Sequence, residues 1–396
     1  MFFVAGIISQ VGYHMHMTLC SLRDISVVPG MRVLVRADFD VVLEGNTIVD
    51  AYRIEAVLPT IKFLLEQKAK VRLIAHLGRP GGTKKEVFSL APVARFLSEA
   101  LGCKVPLVAD PFVGDLPDGD ILLFENLRFW PGEEQNDSAF AATLAAHGDL
   151  YVNEAFAVCH RSHASVVSLA ALLPAYAGSN LVKELEALER VREHPQRPVV
   201  AVFGGVKIKT KLPLIRRFLQ DADRVLVGGA IANTLFALRG SRVGKSSIDT
   251  GIADASSFLN DAKLSLPSDM VVASRLAADA PASTRAIGDI TADEYIVDIG
   301  PKSRESFALL LAGAKTVVWN GPMGFAEAPE FAKGTIAVAE AVRKLPAFTV
   351  VGGGDTVAVL TRFGLRDGFG HISTGGGAML EFLSGKDLPG IEALRR

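Results

Sequence analysis

Phe348-Thr349-Val350-Val351-Gly352-Gly353-Gly354-Asp355-Thr356 runs a short apolar, β-branched segment straight into three glycines and an acid. The apolar run predicts a buried parallel strand. The glycines let the backbone turn tightly and leave no side chain between main-chain N–H groups and a ligand. Asp355 and Thr356 stand at the predicted start of a helix whose apolar positions include Val357, Val359 and Leu360. The free amides and positive dipole end of such a helix favour an anion, above all a phosphate. A carboxylate among phosphate-binding amides needs a cation between them, and Mg²⁺ takes one or two carboxylates plus phosphate oxygens. The segment therefore reads as a Mg-nucleotide phosphate site. Taken alone it also fits a glycine-rich turn with Asp355 as a helix cap.

The rest of the chain narrows the choice of class. At 396 residues, two domains are expected. Hydrophobic content of 49%, 21% charged residues and 37 glycines describe a loop-rich α/β enzyme. A net charge of −1 argues against a general nucleic-acid binder. No apolar run approaches the roughly 20 residues that span a bilayer. Cys20, Cys103 and Cys159 are few and odd in number, which suits a reducing, cytoplasmic location rather than a disulfide framework. Residues 1–16 lack a basic n-region and a convincing cleavage site, so they are expected to be a disordered extension or to follow a misassigned start.

From Met31 onward, apolar strands alternate with longer amphipathic segments. Val33–Val35, Val71–Ile74, Ile121–Leu123 and Tyr151-Val152 read as strands in the first half. Val199–Phe203, Val225–Val227, Met270–Val272, Val317–Trp319 and Phe348–Val351 do so in the second. Helical patterns such as Ile54–Gln67 and Ser89–Leu101 fall between them. Such alternation predicts parallel sheets covered by helices, with ligands beyond the carboxyl ends of the strands. Leu181, Leu185, Leu188 and Val191 recur at helical spacing, so Asn180–Glu193 is read as a connecting helix, with the boundary near Pro195.

The two halves carry different chemistry. Loops after first-half strands collect Arg36, Asp38, Arg53, His76, Arg79, Arg128, His160, Arg161 and His163. Arginine forks bind carboxylate and phosphate bidentately, so arginines at successive strand ends predict a pocket for a small, multiply anionic substrate. Second-half loops carry glycine and lysine: Gly204-Gly205-Val206-Lys207-Ile208-Lys209-Thr210-Lys211, Gly228-Gly229, Asn320-Gly321-Pro322-Met323-Gly324 and Gly375-Gly376-Gly377. They suit close backbone approach to a nucleotide, with Lys207 and Lys211 as point charges for its phosphates. Gly240–Ser246 imitates a Walker A loop but has three residues between its glycines where the motif needs four. Cys159-His160-Arg161-Ser162-His163 lacks a second ligand pair at zinc-site spacing. No Gly-x-Gly-x-x-Gly fingerprint follows the first strand, which weighs against a dinucleotide dehydrogenase.

In order and spacing, Val35–Phe39, Ala75–Pro80, Glu125–Phe129, Tyr151–Ser165, Gly204–Lys211, Trp319–Gly324, Gly352–Thr356 and His371–Ala378 resemble the phosphoglycerate kinase family. The resemblance runs from about Leu19 to the C-terminus. It implies reversible transfer of the acyl phosphate of 1,3-bisphosphoglycerate to Mg-ADP, giving 3-phosphoglycerate and ATP. It implies an α/β fold of two Rossmann-like three-layer domains with parallel sheets, joined by a connecting helix, with an active-site cleft between them. The corresponding divisions are a substrate domain (17–179), a connecting helix (180–195), a nucleotide domain (196–380) and a C-terminal segment (381–396) returning to the first domain. A monomer is expected.

By the same resemblance, Asp38, Phe39, Asp40, Arg53, His76, Leu77, Gly78, Arg79, Arg128 and Arg161 would surround 3-phosphoglycerate. Arg53 and Lys207 would face the transferred phosphoryl group from opposite sides. Gly205, Lys211, Gly228, Gly229, Asn320, Glu327, Gly352, Gly353, Gly354 and Thr356 would bind the nucleotide, and Asp355 the Mg²⁺. Asp40 stands where the family generally has Asn, which adds a negative charge to the pocket. Val42, Glu154, Ala157, Lys209 and Phe325-Ala326 also depart from the usual pattern. The alternative is a catalytically silent nucleotide-binding relative of the same fold, which would have no chemical need to keep Arg53, Lys207 and Asp355 together.

Overall fold

Val33, Leu34 and Val35 are all fully buried, the condition of a strand covered on both faces. In the computed structural model, which describes residues 19–114, 116–250 and 252–395, they lie in the strand Arg32–Arg36. The expectation for residues 1–16 falls outside the described residues. Arg32–Arg36 pairs in parallel with Lys70–Ile74 on one side and Leu150–Asn153 on the other. Ile121–Phe124 and Leu107–Val108 extend the sheet beyond Lys70–Ile74, and Ala175–Ala177 closes the opposite edge.

A second sheet has six strands, also parallel, in the spatial order Leu264–Ser265, Arg224–Val227, Val199–Phe203, Thr316–Asn320, Phe348–Gly352, His371–Ile372. Counted along the chain this is 3-2-1-4-5-6, the doubly wound order. The order reverses between Val199–Phe203 and Thr316–Asn320, and that reversal opens a crevice where their following loops part. The two α/β layers with parallel sheets are the fold class expected from the alternating pattern.

One strand departs from expectation. Met270–Val272 does not join a parallel sheet; Asp269–Ala273 is the centre of a three-stranded antiparallel sheet between Ala282–Ala286 and Tyr295–Ile299. An apolar run records burial but not the direction of its neighbours. Ala282–Ala286 is mostly exposed, so its sequence carried no apolar signal.

The helix Ser179–Arg192 falls in the chain between Ala175–Ala177 of the first sheet and Val199–Phe203 of the second, and buries Leu181, Leu185, Leu188 and Val191. Glu154 stands at its start, accepting from the N–H groups of Asn180 (2.9 Å) and Leu181 (3.2 Å). Farther along, buried Glu184 accepts from the Thr374 N–H at 2.6 Å and hydroxyl at 2.7 Å. Its other oxygen lies 2.8 Å from His371 Nε2. At the chain's end, Leu388, Ile391 and Leu394 are buried, and the Gly390 N–H donates to the Cys159 carbonyl at 2.9 Å. Leu19 and Arg395 form an antiparallel bridge, and Ser21 bridges to Ala177 in the first sheet.

Candidate active site

The glycine run is a strand-to-helix turn in which each residue has a separate part. Gly352 ends its strand, Gly353 takes φ +102°, and Gly354 begins the helix Gly354–Arg362. Only Gly353 needs a left-handed backbone; Gly354 faces open space. The turn is tied to the neighbouring strand end: Asn320 Nδ2 donates to the Gly352 carbonyl, and the Gly321 N–H donates to Thr356 Oγ1 at 2.8 Å. Asp355 lies in the first helical turn, exposed, and no side chain makes a capping hydrogen bond there. That removes the reading of Asp355 as a mere helix cap.

Around this turn the other glycine loops interlock through their main chains. Gly204 N–H donates to the Asn320 carbonyl, Gly205 N–H to Pro322, and Gly229 N–H to Met323. Lys211 is nearly buried and its ammonium donates to the Gly204 carbonyl at 2.5 Å. Burial pulls the Lys211 pKa down to about 8, with Asp355 partly opposing the shift. Lys207 is exposed just ahead of the helix Ile208–Asp221.

A cavity of about 410 Å³ opens beside these loops, lined by residues including Gly205, Gly229, Tyr295, Met323 and Asp355. Glu327 lies on its wall. Gly228 does not line it; a side chain at Gly228 would collide with Met323 Sδ at 2.7 Å. Asn233 and Asp298, not singled out from sequence, also line it. Burial raises the Asp298 carboxyl to about 7.

On the other side, Asp38, Asp40, Arg53, His76, Gly78 and Arg128 converge. Arg53 Nη1 donates to the Asp40 carbonyl oxygen at 2.9 Å and lies 3.6 Å from Asp38 Oδ1 and 3.7 Å from Asp40 Oδ2. Asp40 Oδ1 accepts from the Gly78 N–H at 2.8 Å, and Arg128 donates to the Gly78 carbonyl at 2.7 Å. Asp38 is buried with one oxygen lacking any partner. Burial pushes its carboxyl above the ordinary value while Arg53 opposes the rise.

Beneath this surface lies fully buried Arg36. It donates to Ser165 Oγ at 2.8 Å and to the Ala37 carbonyl, and approaches His76 Nδ1 at 3.1 Å and Glu133 at 3.9 Å. Burial, reinforced by Arg36, Arg128 and Arg53, holds His76 well below its usual pKa, and His163 falls to about 3 for similar reasons. Both are therefore neutral imidazoles near pH 7.

Two of the expected residues do not present their side chains here: Phe39 and Leu77 are buried in the first sheet's apolar core. Arg79 is exposed, and Arg161 is half-buried, its charge felt by His160, His163 and Arg128. A second cavity, about 230 Å³, lies between the halves and is lined by Asp40, Arg53, Gly354 and Asp355, among others. Asp355 thus lines both cavities. Asp50 and Tyr52 line the inter-half cavity too and were not recognised from sequence, since a Tyr at a helix start carries no ligand signature.

The family model described as phosphoglycerate kinase matches residues 22–386. The phosphoglycerate kinase of Thermomicrobium roseum is 46% identical over 391 residues, covering 94% of this chain and 98% of its own. Among solved structures, phosphoglycerate kinase from Coxiella burnetii has a TM-score of 0.82 at 42% identity, covering 95% of this chain and 99% of its own. The enzyme from Pyrococcus horikoshii has 0.84 at 32%, covering 95% and 98%. With a second sheet in doubly wound order, glycine loops opposite an arginine-lined face, and this likeness over nearly its whole length, the chain belongs to the phosphoglycerate kinase family and is a kinase.

Proposed function

We propose that the chain moves the acyl phosphate of 1,3-bisphosphoglycerate to Mg-ADP, and in reverse phosphorylates the carboxylate of 3-phosphoglycerate from Mg-ATP. The observation that carries this reading is the place of Asp355, which lines the glycine-loop cavity and also faces Arg53 across the smaller one. A nucleotide in the larger cavity would point its phosphates toward the second substrate. Asp38, Asp40, His76, Gly78, Arg79, Arg128 and Arg161 would hold that substrate, the arginines on its distal phosphate. Gly205, Gly229, Asn320, Glu327 and Gly352 to Thr356 would hold the nucleotide. The domain division at about residues 179–196 belongs to this proposal, as do a monomeric state and a cytoplasmic location.

In-line phosphoryl transfer needs alignment and neutralisation of equatorial charge more than covalent help. Arg53 supplies a cation from one side, and Lys207 and Lys211 supply cations from the other. The amides at Gly353 to Asp355 supply a helix N-terminus. No general base is required, because the acceptor oxygen is already ionised. The donor set also fits a Mg²⁺ arriving with the nucleotide: one exposed carboxylate, Asp355, with phosphate oxygens to complete it. That ion would neutralise phosphate charge. Among the described residues no group of three or more His, Cys, Asp or Glu side chains is placed to hold a metal ion.

The test is 3-phosphoglycerate-dependent formation of ADP from Mg-ATP in a coupled assay. Turnover is expected for the unsubstituted chain. For Asp355→Asn, loss of Mg-dependent nucleotide affinity and of most activity is expected. Absent turnover with nucleotide binding intact would instead identify a silent relative.

A further inference from the structure

Asp50 and Tyr52, which line the inter-half cavity, belong to a cluster outside the assigned site. Asp50 precedes the helix Tyr52–Glu66, whose second residue is Arg53. Its Oδ1 accepts from the Tyr52 N–H at 2.9 Å, capping that helix from two positions before its first residue. Its Oδ2 accepts from Thr361 Oγ1 at 2.9 Å. Thr361 sits in the last turn of the helix Gly354–Arg362, whose second residue is Asp355. One carboxylate therefore joins the start of the helix bearing Arg53 to the end of the helix bearing Asp355.

Four further contacts close the cluster. Arg366 Nη1 lies 3.7 Å from Asp50 Oδ1 and Nη2 lies 4.0 Å from Glu55 Oε2. The Arg366 guanidinium carbon sits 4.4 Å above the Tyr52 ring. The Tyr52 hydroxyl donates to the Ile372 carbonyl, one residue from Ser373 on the cavity wall. All these bonds cross between the elements of the first sheet and those of the second.

We propose that Asp50, with Thr361, Arg366 and Tyr52, is an inter-domain clasp that positions Arg53 relative to Asp355. Asp50 touches no reacting atom; it is a positioning residue. The geometry sets why this matters. Thr361 is separated from Asp355 by about 9 Å of helix, a rigid rod with its functional residue at one end and the clasp at the other. Arg53 follows Asp50 by three residues on a helix that Asp50 itself caps. A change in the clasp therefore alters the spacing of the two groups without touching either ligand. Phosphoryl transfer is sensitive to such spacing, since a displacement near 1 Å can cost on the order of a hundredfold.

This inference rests on the proposed roles of Arg53 and Asp355, so its test carries a readout that does not need turnover. Full-length chain is compared with Thr361→Val, Arg366→Leu and the conservative Thr361→Ser. Thr361→Val leaves the Asp50–Tyr52 cap in place and removes only the arm to the second helix. For Thr361→Val and Arg366→Leu, kcat is expected to fall about tenfold, with the KM of each substrate within about twofold. Amide hydrogen exchange is expected to quicken around residues 50–55 and 361–372. Thr361→Ser, which keeps the hydroxyl, should restore both readouts. Faster exchange with unchanged kcat, or no change in either, overturns the positioning role. If the unsubstituted chain shows no turnover, the functional reading fails, and exchange alone decides whether the clasp exists: quickened by Thr361→Val and restored by Thr361→Ser, or overturned.

Discussion

Lys211 binds a proton less readily than a surface lysine because its ammonium is enclosed between glycine loops, where the Gly204 carbonyl and the nearby charge of Asp355 favour the charged form. With a pKa near 8, it begins to lose its charge just above neutrality. Nucleotide phosphates favour the charged form, so binding above about pH 8 takes up a proton. The affinity for Mg-ATP is expected to weaken as pH rises from about 7 to about 9, and Lys211→Arg, which stays charged, to flatten that dependence; titration calorimetry at several pH values would read both. A second residue with a clear expectation is Asp40. Its Oδ1 takes the Gly78 N–H, which an Asn carbonyl would also accept, while its Oδ2 faces Arg53 and His76. Asp40→Asn is therefore expected to lower or leave unchanged the KM for 3-phosphoglycerate. A rise of tenfold or more would show that the carboxylate itself is needed. Asp38 and His76 could be placed from sequence because they follow the strands Arg32–Arg36 and Lys70–Ile74; Arg53, expected in a loop, is the second residue of the helix Tyr52–Glu66. Asp50 and Arg366 could not be placed, because what matters there is a distance across 316 positions of chain.

The helix Ser179–Arg192 begins on a buried acid. Burial raises Glu154 to about 7 against an ordinary 4.5, although two helix amides hydrogen-bond to it. The folded chain thus holds this proton more tightly than the unfolded one. Its contribution to stability is fully present below about pH 4.5 and is lost as pH rises through about 7. Glu154→Gln, neutral throughout, should stabilise the protein at about pH 8 by about 1–3 kcal/mol and reduce the loss of stability between about pH 5 and 8. Thermal unfolding across that range checks it, and an unchanged slope would assign the loss to Asp298, which titrates in the same window. Elements themselves were legible where burial left a continuous apolar run, as in Val199–Phe203 and Phe348–Gly352. Edge strands of two or three residues, such as Leu264–Ser265 and His371–Ile372, have no run to read. Nor does a run state its partner, which is why Met270–Val272 was assigned to the wrong kind of sheet.

At the scale of the molecule, a cavity is lined by loop and helix residues from both halves, Asp40 and Arg53 from one and Gly354 and Asp355 from the other. The sequence shows arginines gathered in one half and glycine with lysine in the other, while a cleft between them was implied only by the family resemblance. What it did not give is how the two are held, since the Glu184, Asp50 and Tyr52 contacts depend on three-dimensional placement. The chain's last turn adds another tie: Leu388, Ile391 and Leu394 are each about fully buried, and together their burial is worth on the order of 5–8 kcal/mol. Truncation before Leu388 is expected to remove a large part of a stability that is normally about 5–15 kcal/mol, and a truncated chain with an unaltered unfolding midpoint would contradict this. A ribosome delivers the first sheet long before it delivers these residues. Cys159, whose carbonyl accepts from the Gly390 N–H, is made 231 residues before its partner, so this corner of the first half stays open while the strands of the second are being synthesised.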